Sequence, residues 1–97
     1  MFIIRATQKF DRRMQKIKAK DQKLYRRIVE TIKLLQQNPR HPQLETHKAE
    51  GPLLGRVFSS KVTQDIRIRW DYDKEKGATV ILLLTVGGHS GKYKIYK

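Results

Sequence analysis

Cysteine is absent from this 97-residue chain, which excludes a disulfide framework and any zinc site built on thiolates. Acidic residues are scarce as well: nine Asp and Glu stand against 22 Lys and Arg, a formal net charge of +13. An excess of that size repels itself in the folded state and points to a polyanionic partner, nucleic acid first and an acidic protein second. A membrane surface fits less well, because the basic residues are spread along the whole chain and not gathered on one amphipathic helix. No apolar run approaches the roughly 18 residues needed to cross a bilayer. The opening Met1-Phe2-Ile3-Ile4-Arg5 is too short for a signal peptide, so the expected setting is the cytoplasm with no membrane partner. Neither an internal repeat nor a low-complexity segment is present. With 38% hydrophobic residues, the chain is expected to form one domain over residues 1–97 around a single modest core.

What is there follows two periodicities. Phe2-Ile3-Ile4 reads as a short strand. Thr7 is a plausible N-cap for a helix from about Gln8 to Lys18, with Phe10, Met14 and Ile17 on one stripe. Asp21 offers a second N-cap, and Leu24, Ile28, Ile32 and Leu35 line a helix that Asn38-Pro39 ends near Gln37. The segment from Arg40 to Leu54, with Pro42, Gly51 and Pro52, reads as a loop, and a strand is expected around Gly55 to Lys61. After a turn at Thr63-Gln64 the chain alternates: Ile66, Ile68, Trp70 and Tyr72 on one face, Asp65, Arg67, Arg69 and Asp71 on the other. A charged turn from Asp73 to Gly77 leads into the most apolar run, Thr79 to Val86, expected in the interior of a sheet, and Lys92 to Tyr96 is a candidate last strand. This order predicts an α+β fold of two layers, an N-terminal strand and a helical hairpin packed on a mainly antiparallel sheet whose other face is left for function.

The buried run ends at Gly87-Gly88-His89-Ser90-Gly91-Lys92-Tyr93, which places an imidazole and a phenol on a loop fixed by the core and open to water. Cleaving RNA without a metal needs a base for the 2′-hydroxyl proton, an acid for the departing 5′-oxygen and cations around the phosphorus. His89, Tyr93, Asp65, Arg67, Lys61 and His47 are the candidates. The blander readings stand beside these: His89 as a surface loop residue, Asp65 with Arg67 as a solvated ion pair, Tyr93 as edge packing, Trp70 as core. His41 and His47 lack a third clustered ligand, so no metal site and no cofactor are expected.

Thr46-His47-Lys48, Gly51, Gly55, Ser59-Ser60, Asp65-Ile66-Arg67-Ile68, Ile81-Leu82-Leu83-Leu84 and Gly87-Gly88-His89 together resemble the RelE/ParE superfamily of bacterial toxin–antitoxin toxins, in particular its YafQ-like branch. The likeness runs over nearly the whole chain in size, charge and element order. It implies a RelE-like fold and a ribosome-dependent, metal-independent endoribonuclease that cuts mRNA, blocks translation and is neutralised by a cognate acidic antitoxin, as part of a hetero-oligomer. Position by position, His89 matches the C-terminal catalytic histidine, His47 the upstream histidine, Asp65 the acidic residue of the sheet, Arg67 the phosphate-steadying arginine and Tyr93 the C-terminal aromatic. Lys61 stands where YafQ-like toxins often carry another histidine. The expected roles are His89 as general acid, Asp65 or His47 as base, Arg67 and Lys61 on the phosphorane and Tyr93 against a base.

The expected RNA contacts are Lys48, Arg56, Lys61, Arg69 and Lys92, with Arg12, Arg13, Lys16, Lys23 and Arg27 on the helices reaching ribosomal RNA. Two departures from the family pattern are visible. Gly88, Ser90 and Gly91 replace a threonine and two acids around the histidine, and Lys48-Ala49-Glu50-Gly51 replaces Lys-Leu-x-Gly. Two other readings therefore stand at this stage: a non-enzymatic, gyrase-inhibiting toxin of the ParE type, and an inactive member that binds nucleic acid or antitoxin.

Overall fold

Thr7 and Asp21 fix where the two helices begin. In a computed structural model of the protein, residues 1–51 and 55–88 are described, with side chains for residues 1–49 and 57–88. After β1 (Ile3–Ala6), α1 spans Gln8–Lys20 and α2 spans Gln22–Gln37. The first backbone N–H groups of a helix have no partner within it. Thr7 Oγ1 accepts from the Phe10 N–H at 3.1 Å, and Asp21 Oδ1 accepts from the Leu24 N–H at 3.1 Å. Asp21 also closes α1, its own N–H donating to Ile17 O at 2.7 Å. One residue thus ends a helix and starts the next, and the hairpin is correspondingly tight. α1 runs two residues past its expected end, to Lys20.

A 3-10 turn (Pro42–Leu44) leads into four strands, β2 (His47–Gly51), β3 (Gly55–Lys61), β4 (Ile66–Glu75) and β5 (Ala78–Gly88). The sheet order is β1-β5-β4-β3-β2, with β1 parallel to β5 and the remaining pairs antiparallel. This is the expected α+β architecture with three corrections. The segment read as a loop from Arg40 to Leu54 contains β2, so His47 lies on an edge strand. Asp65 falls in the turn before β4 and not on the strand. The β4–β5 turn is only Lys76-Gly77, whose φ values of 51° and 83° suit a two-residue hairpin, so β4 continues through Asp73 to Glu75.

The alternation of β4 is realised in packing. Ile66, Ile68 and Trp70 join Ile81, Leu83 and Val86 of β5 and Phe10, Ile17, Leu24, Ile28 and Leu35 of the helices in one core. Each such side chain contributes roughly 1.5–3 kcal/mol of burial, which is what holds the helical hairpin on the sheet. The β4–β5 register passes from Arg69↔Thr85 to Trp70↔Leu83, leaving Leu84 as an extra residue on β5. Thr7 occupies the carbonyls there: its N–H donates to Leu83 O at 3.0 Å and its Oγ1 to Leu84 O at 2.8 Å. The N-cap of α1 is therefore also the tie between the helix layer and the irregular part of β5.

Candidate active site

Side chains pointing away from the helices are fixed by register. His47 pairs with Ser59, Ser59 with Arg69, Lys61 with Arg67, and Arg67 with Gly87. Lys61 and Arg67 are thus like charges directly opposite one another on neighbouring strands, an arrangement that destabilises a sheet unless a counter-charge is supplied. Glu45 supplies it. Its carboxylate accepts from Lys61 Nζ at 3.1 Å, and its backbone oxygen accepts from Arg67 Nη2 at 2.8 Å.

The Arg67 guanidinium is held on several sides. Nε donates to Ser59 Oγ at 2.6 Å, and Nη2 lies 3.1 Å from Ser59 O and 3.1 Å from His47 Nδ1. Arginine has no acceptor, so the contact with His47 is a hydrogen bond only when Nδ1 presents its lone pair. In that tautomer the neutral ring carries its proton on Nε2, and the 3.3 Å approach of Nδ1 to Glu45 O is a contact only. None of these bonds uses Nη1 of Arg67. Among the described residues the cluster thus gathers a guanidinium, an imidazole and an ammonium paired with Glu45 on the face of the sheet away from the helices.

A buried polar chain holds the loop that carries these groups. Trp70 Nε1 donates to Ser60 Oγ at 2.8 Å, Ser60 Oγ lies 2.7 Å from Thr46 Oγ1, and Thr46 Oγ1 donates to Pro39 O at 3.0 Å. An indole N–H only donates and Pro39 O only accepts, so the hydroxyl protons run in one direction, Ser60 to Thr46 to Pro39. Trp70 is thus core, as expected, and also the anchor of the segment leading to His47. His41 caps the 3-10 turn, its Nδ1 accepting from the Gln43 N–H at 3.1 Å. Among the described residues no group of three or more His, Cys, Asp or Glu is arranged to hold a metal.

Asp65 sits beside the end of β5. A Cβ built on Gly88 would meet Asp65 O at 2.5 Å and Asp65 Oδ2 at 2.7 Å, so only glycine at position 88 permits this approach. The carboxylate therefore lies next to the residue that precedes His89. His89, Lys92 and Tyr93, and the candidate strand from Lys92 to Tyr96, lie outside the described residues, as does the side chain of Arg56.

Two of the expected RNA contacts lie apart from the Arg67 cluster. Arg69 is only 6% exposed, and Ser59 and Thr85, which pair with it on the neighbouring strands, are buried as well. Val57 and Val80 on the same face are buried too. Lys48 pairs with Phe58, which stacks on Trp70, so alternation directs it to the helix side of the sheet, opposite His47. Of the helix cations, Arg12, Lys16, Lys23 and Arg27 are exposed and Arg13 is half-buried. Arg27 also donates to Val62 O at 3.2 Å, at the edge of a cleft of about 500 Å³ whose lining includes Glu30, Gln43, Glu45 and Lys61. Glu45 and Ser59 are the site residues that the sequence reading did not assign. Ser59 lay within the family-like Ser59-Ser60 pair, whereas Glu45 carried no sequence signal.

Neither a family model nor a curated protein sequence matches the chain. Solved structures do. A YoeB/ParE toxin from Agrobacterium tumefaciens superposes with a TM-score of 0.74 at 12% identity, covering 92% of this chain and all of that one. RelE in an archaeal RelE–RelB complex from Pyrococcus horikoshii gives 0.65 at 18% identity over 92% of this chain and 96% of its own. YafQ from Escherichia coli gives 0.63 at 14% identity over 91% and 93%. At such identities the likeness is one of fold, and it extends over nearly the full length of both partners. The structure therefore carries the fold of the RelE/ParE-superfamily toxins, the architecture that the sequence resemblance led us to expect.

Proposed function

We propose that this protein is the toxin of a toxin–antitoxin pair and acts as a ribosome-dependent, metal-independent endoribonuclease on mRNA in the cytoplasm. The observation that carries the reading is the Arg67 cluster: a guanidinium locked by Ser59 and Glu45, in contact with His47 and opposite Lys61, on the sheet face away from the helices. A phosphodiester placed there meets Nη1 of Arg67 and, by exchange with Glu45, Nζ of Lys61. The adjacent 2′-hydroxyl oxygen attacks phosphorus and loses its proton to Asp65, or to His47 Nδ1 once Arg67 has turned from it to the phosphate, while the 5′-oxygen leaves with a proton from His89. Arg67 and Lys61 stabilise the added negative charge of the phosphorane, Tyr93 orients a base, and the exposed cations of α1 and α2 bind ribosomal RNA. The net charge of +13 favours an acidic antitoxin as partner, and the Pyrococcus RelE is itself seen with RelB.

The test is cleavage of a defined message on programmed ribosomes, with the new ends mapped. Wild-type protein is expected to cut within the decoding site, and His89→Ala to leave the message whole while keeping its fold and RNA affinity. An intact message with wild-type protein, and growth arrest accompanied by DNA damage, overturns this reading in favour of a gyrase-binding toxin.

A further inference from the structure

Glu45 is the C-cap of the 3-10 turn and adopts φ 44° and ψ 48°, the left-handed region that residues with a Cβ seldom enter. The strain coincides with function-bearing geometry. In this conformation one carbonyl receives Arg67 Nη2 at 2.8 Å and stands 3.3 Å from His47 Nδ1, two residues before β2 has properly begun its pairing. An extended backbone at position 45 would rotate that oxygen away from both groups. Two neighbours hold the conformation in place: the Glu45 N–H donates to Pro42 O at 3.1 Å, and Thr46 is fixed by the Trp70–Ser60–Thr46–Pro39 chain.

We propose that Glu45 is a positioning residue whose left-handed backbone, more than its carboxylate, aims Arg67, and through it His47, at the substrate phosphate. The inference rests on the cleavage reading for its effect on turnover, and on geometry alone for the orientation of the two side chains. Glu45 touches neither the attacking nor the leaving oxygen in this scheme. It acts through Arg67, which its carbonyl orients and which in turn holds His47, while its carboxylate keeps Lys61 neutralised until a phosphate takes that place.

Glycine and valine at position 45 separate backbone from side chain. Glu45→Gly enters the left-handed region without strain and retains the carbonyl, whereas Glu45→Val disfavours it and retains neither conformation nor charge. The nitrogen resonances of the His47 ring and of Arg67 Nε–H are recorded in each folded protein, with the amide spectrum as the check on folding. Glu45→Gly is expected to keep the wild-type signals, and Glu45→Val to displace the signals and lower kcat by about 10- to 100-fold relative to Glu45→Gly with KM little changed between the two. Should Glu45→Val fail to fold, Glu45→Ala replaces it as the milder perturbation. A folded valine or alanine variant with unchanged His47 and Arg67 signals overturns the proposal, as does a glycine variant displaced as far as valine, since the carboxylate would then be responsible. If wild-type protein cuts no message, the cleavage reading fails while the resonances still decide the positioning role.

Discussion

Replacing Arg67 by lysine separates the charge of this residue from its shape. Arg67 reaches Ser59 Oγ at 2.6 Å, Glu45 O at 2.8 Å, Ser59 O at 3.1 Å and His47 Nδ1 at 3.1 Å, acceptors spread over two strands and the preceding loop. An ammonium concentrates its donors at one point and cannot serve that spread. The largest cost falls on Ser59, which is fully buried and loses the partner of its hydroxyl. A buried polar group left unpaired costs about 1–3 kcal/mol, whereas the bonds to the exposed groups Glu45 and His47 are worth about 0.5–1.5 kcal/mol each and are partly replaced by water. Arg67→Lys is therefore expected to destabilise the fold by about 1–3 kcal/mol, with roughly 4–8 °C of Tm lost for each kcal/mol in a domain of this size. Thermal unfolding followed by circular dichroism gives the single values. A double-mutant cycle with Ser59→Ala tests their origin: a coupling of about 1 kcal/mol is expected if the two side chains act on one another. Effects that add within about 0.5 kcal/mol would show that the guanidinium is not bonded to Ser59, and the construction of the site on Arg67 would fall with it.

Thr7→Ala removes an N-cap and the donor to Leu84 O together, and is expected to cost about 1–2 kcal/mol in urea unfolding with an unchanged m value. Thr7→Ser, which keeps the oxygen, should recover most of that loss. Gly88→Ala drives a Cβ against the Asp65 backbone and carboxylate, and is expected to destabilise by about 1–3 kcal/mol while shifting the amide resonances of residues 65–67; a silent spectrum would deny the approach of Asp65 to β5. RNA binding is expected to weaken steeply with salt, and each of Arg12→Ala, Lys16→Ala and Lys23→Ala to reduce the slope of log K against log salt by about 0.7–0.9. An unaltered slope in all three would remove the helices from the interface.

Much of the fold was legible in local chemistry. Thr7 and Asp21 are capping residues followed by apolar stripes of helical period, and the Ile66-Ile68-Trp70 alternation specifies a strand with one buried face. These signals depend on a few neighbouring residues, so the sequence displays them directly. β2 escaped because His47-Lys48-Ala49-Glu50-Gly51 contains no β-branched or aromatic residue, and its strand exists through pairing with β3.

The sequence by itself determined the helical hairpin, the face of β4 that enters the core, and a net charge of +13. The tertiary structure alone decided which polar side chains meet. Alternation assigns a residue to one side of a sheet but does not say whether that side is open at that level, and so Arg69 is buried while Arg67, two positions away, is half-exposed. Nor does any local pattern announce that Glu45 turns left-handed, or that its carbonyl and carboxylate will settle two cations on adjoining strands. That conformation is held by the Glu45 N–H bond to Pro42 O and by the hydrogen-bonded chain from Trp70 through Ser60 to Thr46, and only the folded chain brings these residues together.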